Sequence, residues 1–172
     1  KIRVVDSSLA TTAFAMMVRI ACRMRDEGRT VDEIADYLEK IRERLVIICS
    51  MNTLEYLHKG GRLSATVTIL GGMLNIKPVV LIKDGHISIL HKARGIKAAA
   101  RWMVDYVAET GFDASLPIGF IHSDNPEGAV EVRSMLAEKA TWGEEMTQGI
   151  GPVIGTHIGD GCVAIACFWK ER

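Results

Sequence analysis

Apolar and polar positions alternate along the chain in two distinct rhythms, and the switches between them mark its elements. Ile2 to Val5 is a short β-branched run, read as a strand and ended by Asp6-Ser7-Ser8, with Ser8 placed to cap the next helix. Leu9, Phe14, Met16, Met17, Ile20 and Met24 then recur at helical spacing as far as Gly28. Thr30 and Glu33 form a capping box for a second helix, whose stripe is Val31, Ile34, Leu38 and Ile41. Leu45 to Cys49 is continuously apolar, as a strand buried on both faces would be. A short helix over Thr53 to Lys59 closes at Gly60-Gly61, and Ser64 opens another that runs to about Leu74. Val79 to Ile82 and His86 to Leu90 flank Asp84-Gly85, which predicts a hairpin. Ile96 to Ala108 is helical, Leu116 to His122 a strand, and Asn125-Pro126 cap and start a helix to about Ala140. Met146 to Ile150 is a strand, Pro152 opens a helical turn, and Cys162 to Trp169 is the last strand.

The predicted order is β-α-α-β-α-α-β-β-α-β-α-β-α-β. Alternation of this kind gives an α/β fold, and the hairpin adds an antiparallel pair, so a mixed sheet covered by helices is expected. The weakest join is Glu43-Arg44, where two polar helices give way to an apolar strand.

Composition narrows the function classes. Of 172 residues, 48% are hydrophobic and 24% charged, which suits a globular domain with a real core. The formal net charge is zero and the pI about 7.1, so no nucleic-acid surface is expected. No apolar run approaches the ~18 residues of a membrane helix, and no basic-then-apolar leader precedes Ile2, which gives a cytoplasmic expectation. The chain starts without Met on what reads as a strand already under way, as a fragment would. Cys22, Cys49, Cys162 and Cys167 form no C-x-x-C pair and read as buried, reduced thiols.

Three stretches carry candidate chemistry. In Tyr56 to Arg62, two glycines let the backbone bend sharply beside an arginine, and Ser64 heads the following helix. A helix corner with an exposed arginine and an anion site are both open readings. Gly149 to Gly161 holds five glycines in thirteen residues. Its G-x-G-x-x-x-G spacing is not a dinucleotide fingerprint, yet a turn of this kind presents free N–H groups, and His157 lies within it. His157 is read equally as structural or ligand-contacting. Lys92, Arg94 and Lys97 cluster where a strand meets a helix start, so helix stability does not explain them; a solvated edge and an anion or partner contact remain open. The other histidines are weaker candidates. His86 and His91, five apart on one strand, are expected on opposite faces and make a poor metal pair, and His122-Ser123-Asp124 lies at the end of a strand. No metal ligand set, P-loop or nucleophile elbow is present.

These stretches resemble the DegV family, the fatty-acid-binding subunits of bacterial fatty acid kinase. The resemblance runs in order through Val5-Asp6-Ser7, Thr53 to Leu57 with Lys59 to Arg62, Leu74 to Pro78, Asp84-Gly85, Lys92 to Arg94, His122 to Asp124 and Ile150 to His157. It implies a lipid-binding protein of phospholipid metabolism that is not itself an enzyme and uses no cofactor, metal or catalytic residue. Such a protein holds a long-chain fatty acid and presents its carboxylate to a separate kinase subunit for acyl-phosphate formation. It further implies that His157 contacts the carboxylate, that Arg62 joins that polar network, and that Arg94 lies on the partner surface. Ile69, Leu70, Met73 and Leu74 are assigned to an acyl-tail tunnel. A transient contact with a membrane surface fits this role; nucleic acid does not.

By the same resemblance, residues 1–44 are a remnant of an amino-terminal α/β domain and residues 45–172 a carboxy-terminal lipid-binding domain. The family's Ser/Thr carboxylate clamps lie in an amino-terminal stretch not found here. One departure comes just after His157, where Ile158-Gly159-Asp160-Gly161 stands in place of the family's usual Thr-Gly-Pro-Gly. The alternative is an enzyme related to dihydroxyacetone kinase, with His157 acting on a small carbonyl substrate.

Overall fold

The computed structural model describes residues 1–63 and 75–171. The expected helix from Ser64 to Leu74 lies outside them, and with it the tunnel positions Ile69, Leu70, Met73 and Leu74.

The elements are α1 (Thr11–Asp26), α2 (Val31–Arg42), β1 (Leu45–Ser50), α3 (Glu55–Lys59), β2 (Ile76–Lys83), β3 (His86–Arg94), α4 (Ile96–Thr110), β4 (Ile118–His122), α5 (Pro126–Ala137), β5 (Glu145–Gly149), α6 (Pro152–Ile158) and β6 (Val163–Phe168). The six strands form one sheet in the order β3-β2-β1-β6-β4-β5. Among these strands β4 and β5 pair in parallel, and the other neighbours are antiparallel. This is the mixed sheet that the hairpin and the alternation called for.

The centre of the sheet is β1 against β6, and every residue of both strands is buried. Their unbroken apolar runs follow from helices covering both faces. Alternate residues divide between two cores. Val46, Ile48, Ile165 and Cys167 face α4 and α5, which supply Met103, Val104, Val107 and Leu136. Leu45, Ile47, Ala166 and Phe168 face α1 and α2, which supply Met16, Ile20, Leu38 and Ile41. Residues 1–44 therefore contribute two helices packed on the sheet that residues 45–168 build. Helix α1 can lie directly on β4 because position 119 is glycine: a Cβ there would come 2.8 Å from the Thr12 methyl.

Two expectations at the amino terminus fail. Ile2 to Val5 forms no strand; among the described residues no neighbouring strand offers it a ladder, and Ile2 and Val4 are exposed. The segment is held instead through side chains, with Lys1 and Arg3 paired to Asp32 and Arg3 also to Asp36 on α2. Ser8 does not cap α1, whose N-cap is Ala10 and carries no side-chain cap. By contrast, the Thr30–Glu33 capping box and the Asn125 cap form as predicted. So does the hairpin turn, with Asp84 (φ 50°) and Gly85 (φ 73°) both left-handed.

Strand β3 runs four residues further than predicted, to Arg94. Its pairing with β2 skips Leu90, since Val80 lies opposite Ile89 and Val79 opposite His91. That bulge reverses the alternation, so His91 emerges on the same face as His86, contrary to the strict period of two. The His91 ring is stacked on Trp102 with centroids 4.6 Å apart. Among the described residues no group of three or more potential metal ligands converges.

Arg44, just before β1, ties the two ends of this layer together: its Nη1 donates to Asp113 at 3.1 Å and to the Trp169 carbonyl at 3.2 Å. Hydrogen bonds from Ser115, with Arg44 nearby, hold the Asp113 carboxyl below its usual range. A depressed carboxylate adds stability above its unfolded pKa and loses it as pH falls through the folded value. We expect Asp113→Asn to cost about 0.5–1 kcal/mol at neutral pH, because the amide oxygen still accepts and the pair is partly open to solvent. The wild-type advantage should then shrink below about pH 4. Urea titrations of both proteins between neutral and acid pH check this; a gap that stays constant would show that the charge on Asp113 is immaterial.

Candidate functional site

Helix α3 ends at Gly60, and Gly61 (φ 68°) turns the chain back so that Arg62 N–H donates to the Leu57 carbonyl at 2.8 Å. The Arg62 guanidinium folds over the same corner and donates to the Gly60 carbonyl at 2.6 Å. Helix α6 opens at Pro152 and ends at Gly159 (φ 77°), which places His157 in its last turn.

The two motifs interlock through their glycines. Gly60 receives the His157 ring: a Cβ on Gly60 would strike Nδ1 and lie 2.9 Å from Cε1. Gly159 in turn receives the Tyr56 ring, which a Cβ there would meet at 2.5 Å. Asn52 closes the contact at its far end by donating from Nδ2 to the Asp160 carbonyl at 3.0 Å. Each side of the junction thus lacks a side chain where the other inserts one.

Beneath the junction, on the α1 face of the sheet, is a cavity of about 380 Å³, within the roughly 300–1,000 Å³ typical of small-molecule sites. Its floor is apolar, with Ile47 on β1, Ile82 and Ile87 on the hairpin, Ile121 on β4, Ile150 just before α6 and Ile154 within it. Arg62 and His157 both line it, together with Asp6 and Ser8 from the loop that enters α1 and Thr11, the helix's first residue. The Nδ1 atom of His157 is buried and finds no hydrogen-bond partner among the described residues. That nitrogen packs against Gly60, so it is the placement of the ring, and not a free Nδ1, that the socket supplies to the cavity. Cys49 and Cys162 also line the cavity, their sulfurs 3.0 Å apart and sharing a hydrogen. That hydrogen bond and burial push the Cys49 thiol well above its usual pKa, so the pair is an apolar part of the wall. Cys167 is buried on the other face, whereas Cys22 is exposed, against expectation.

The remaining candidates lie elsewhere. Arg94 is exposed at the end of β3, in a shallow cleft with Lys92, Arg101 and Trp102. His122 accepts from the Asn125 N–H at 3.4 Å, and Ser123 exchanges backbone hydrogen bonds with Cys162 and Gly161, so this stretch anchors the start of β6. Sequence reading missed the isoleucine floor and the residues Asp6, Ser8 and Thr11. The isoleucines do carry a signal, since Ile47 and Cys49 sit at alternate positions on one strand. Nothing in that alternation says which face is hollow.

Gly60 has an ordinary φ of −78°, so Gly60→Ala fits the backbone conformation and acts chiefly on the His157 ring, with the Tyr56 carbonyl 3.1 Å from the new Cβ. We expect the His157 side-chain NMR resonances to move in this variant while its far-UV circular dichroism stays unchanged. Resonances that hold their position would show that Gly60 does not set the imidazole.

The sequence model described as "Uncharacterised protein, DegV family" matches residues 1–170. A DegV domain-containing protein of Caldanaerobacter subterraneus is 36% identical over 100% of this chain and 61% of its own length. A fatty acid-binding protein of Thermotoga maritima is 31% identical over 98% of the chain and 60% of its own. Among solved structures, a DegV-family protein of Ruminococcus gnavus with vaccenic acid superposes at a TM-score of 0.89 with 26% identity, covering 96% of this chain and 60% of that one. The chain thus spans about three-fifths of the length of the relatives it matches. With the family's sequence model running almost from end to end and the fold shared at this level, the chain belongs to the DegV family.

Proposed function

We propose that this chain binds a long-chain fatty acid, its tail on the isoleucine floor and its carboxylate beside Arg62 and His157. The observation that carries this reading is one cavity with an apolar floor whose lining includes both a cation and an imidazole. A carboxylate leaving water needs such donors, because an unpaired buried charge is prohibitively costly. Each buried methylene of the tail adds about 0.8 kcal/mol. Relatives described as fatty acid-binding support the choice of ligand.

The DegV resemblance extends the reading to acyl presentation. The carboxylate is handed to a separate kinase subunit, and Arg94, with Lys92 and Arg101 in its cleft, faces that partner. Ile69, Leu70, Met73 and Leu74 remain our assignments for further tunnel wall. Residues 1–44 and 45–172 remain our division between the amino-terminal and lipid-binding parts.

Displacement of a fluorescent fatty acid by palmitate tests the binding. His157→Ala and Arg62→Ala should each weaken palmitate by about 10- to 100-fold, the range of a hydrogen bond to a charged group. Arg94→Ala should leave palmitate affinity unchanged and weaken the kinase partner instead. A wild-type chain that takes up no fatty acid at micromolar concentration would sink the proposal.

A further inference from the structure

The loop that leads into α1 has an uncommon backbone. Ser8 (φ 55°) and Thr11 (φ 59°) are both left-handed. That conformation is uncommon for any residue but glycine and an outlier for a β-branched one. Strain of this kind persists only where surrounding contacts enforce it, and it gathers at ligand sites. The enforcing contacts are present. Arg42 donates to the Asp6 carbonyl at 2.7 Å, Ser8 N–H donates to Asp6 Oδ1 at 2.8 Å, and Ser7 Oγ donates to the Leu9 carbonyl at 2.8 Å.

Asp6, Ser7 and Ser8 use their side chains locally, Ser8 Oγ lying 3.5 Å from Asp6 Oδ2, and Thr11 does not. Thr11 Oγ1 is buried and has no hydrogen-bond partner among the described residues. As the first residue of α1 it does not cap the helix, and Ala10 before it offers no side chain to do so. A threonine at a helix start ordinarily spends its hydroxyl on nearby backbone. Here Thr11 lines the same cavity as Arg62 and His157. Asp6, the acidic residue of that wall, directs its carboxylate to Ser8, which moderates any repulsion of an anion.

Resting on the fatty-acid reading above, we propose that Thr11 is a headgroup residue. Its hydroxyl donates to a carboxylate oxygen of the bound fatty acid, and the strained loop from Asp6 to Thr11 is the mount that holds it there. A hydroxyl has one hydrogen to give and a carboxylate only accepts, so the pairing is chemically matched.

The experiment compares palmitate with hexadecanol, which has the same tail and no carboxylate, on wild type, Thr11→Val and Thr11→Ser. Thr11→Val keeps the branched shape and removes the hydroxyl. We expect it to weaken palmitate about tenfold, the effect of losing one charge-assisted hydrogen bond. Hexadecanol affinity should stay within about twofold of wild type, and Thr11→Ser should keep most of the palmitate affinity. Equal palmitate affinity in wild type and Thr11→Val overturns the proposal, as does an equal loss of both ligands. Should Thr11→Val fold poorly, the Thr11 methyl resonance of the wild-type protein decides: it should shift more with palmitate than with hexadecanol, and equal shifts overturn the proposal. Wild type that binds no palmitate overturns the fatty-acid reading and this one together. Loss of palmitate in His157→Ala but not in Thr11→Val overturns this one alone.

Discussion

Leu45 lies opposite Phe168 and Ser50 opposite Val163, and this full-length antiparallel pairing of β1 with β6 is the support from which the site hangs. The chain leaves β1 at Ser50 and enters β6 at Val163 at the same end of the pair. The segments just beyond that end are therefore brought together: the corner from Asn52 to Arg62 on one side and the turn from His157 to Cys162 on the other. About a hundred residues of sequence separate them. The loop-closure entropy of that separation is met by a strand pair buried on both faces, and not by the few contacts at the junction itself.

Given that pairing, the glycines become intelligible. Gly60 and Gly159 are not needed merely for flexible turns. Each is the socket for a ring on the opposite segment, His157 in one case and Tyr56 in the other. The sockets fix the imidazole at the cavity by shape, with its Nδ1 edge packed against Gly60.

The same logic explains why the cavity is apolar and one-sided. On the face of β1 and β6 turned to α4 and α5, large side chains such as Phe120 and Met103 fill the space. On the other face, α1 and α2 cover the sheet toward β4, while Ile82, Ile87 and Ile47 border the cavity. Arg62 and the loop from Asp6 to Thr11 then add polar groups to its wall. An amphipathic ligand suits a cavity of that composition.

Much of this was open to reading from the residues alone. The unbroken apolar runs of β1 and β6, the Thr30 and Asn125 caps and the Asp84-Gly85 hairpin are local chemistry, in which a few neighbouring side chains decide the backbone. The two glycine-bearing motifs stood out because clustered glycines beside Arg62 and His157 are costly without a purpose. Other features needed the tertiary structure. Ile2 to Val5 has the composition of a strand, but a strand exists only with a partner to pair with. The bulge at Leu90 moves His91 to the other face, and no local pattern marks it. Most of all, Ile47, Ile121 and Ile158 look alike in sequence, all buried aliphatics. Whether such a residue meets a helix or borders a cavity depends on what segments distant in the chain leave uncovered. For the same reason nothing in the sequence singled out Thr11, which the fold sets in the lining of one cavity with Arg62 and His157.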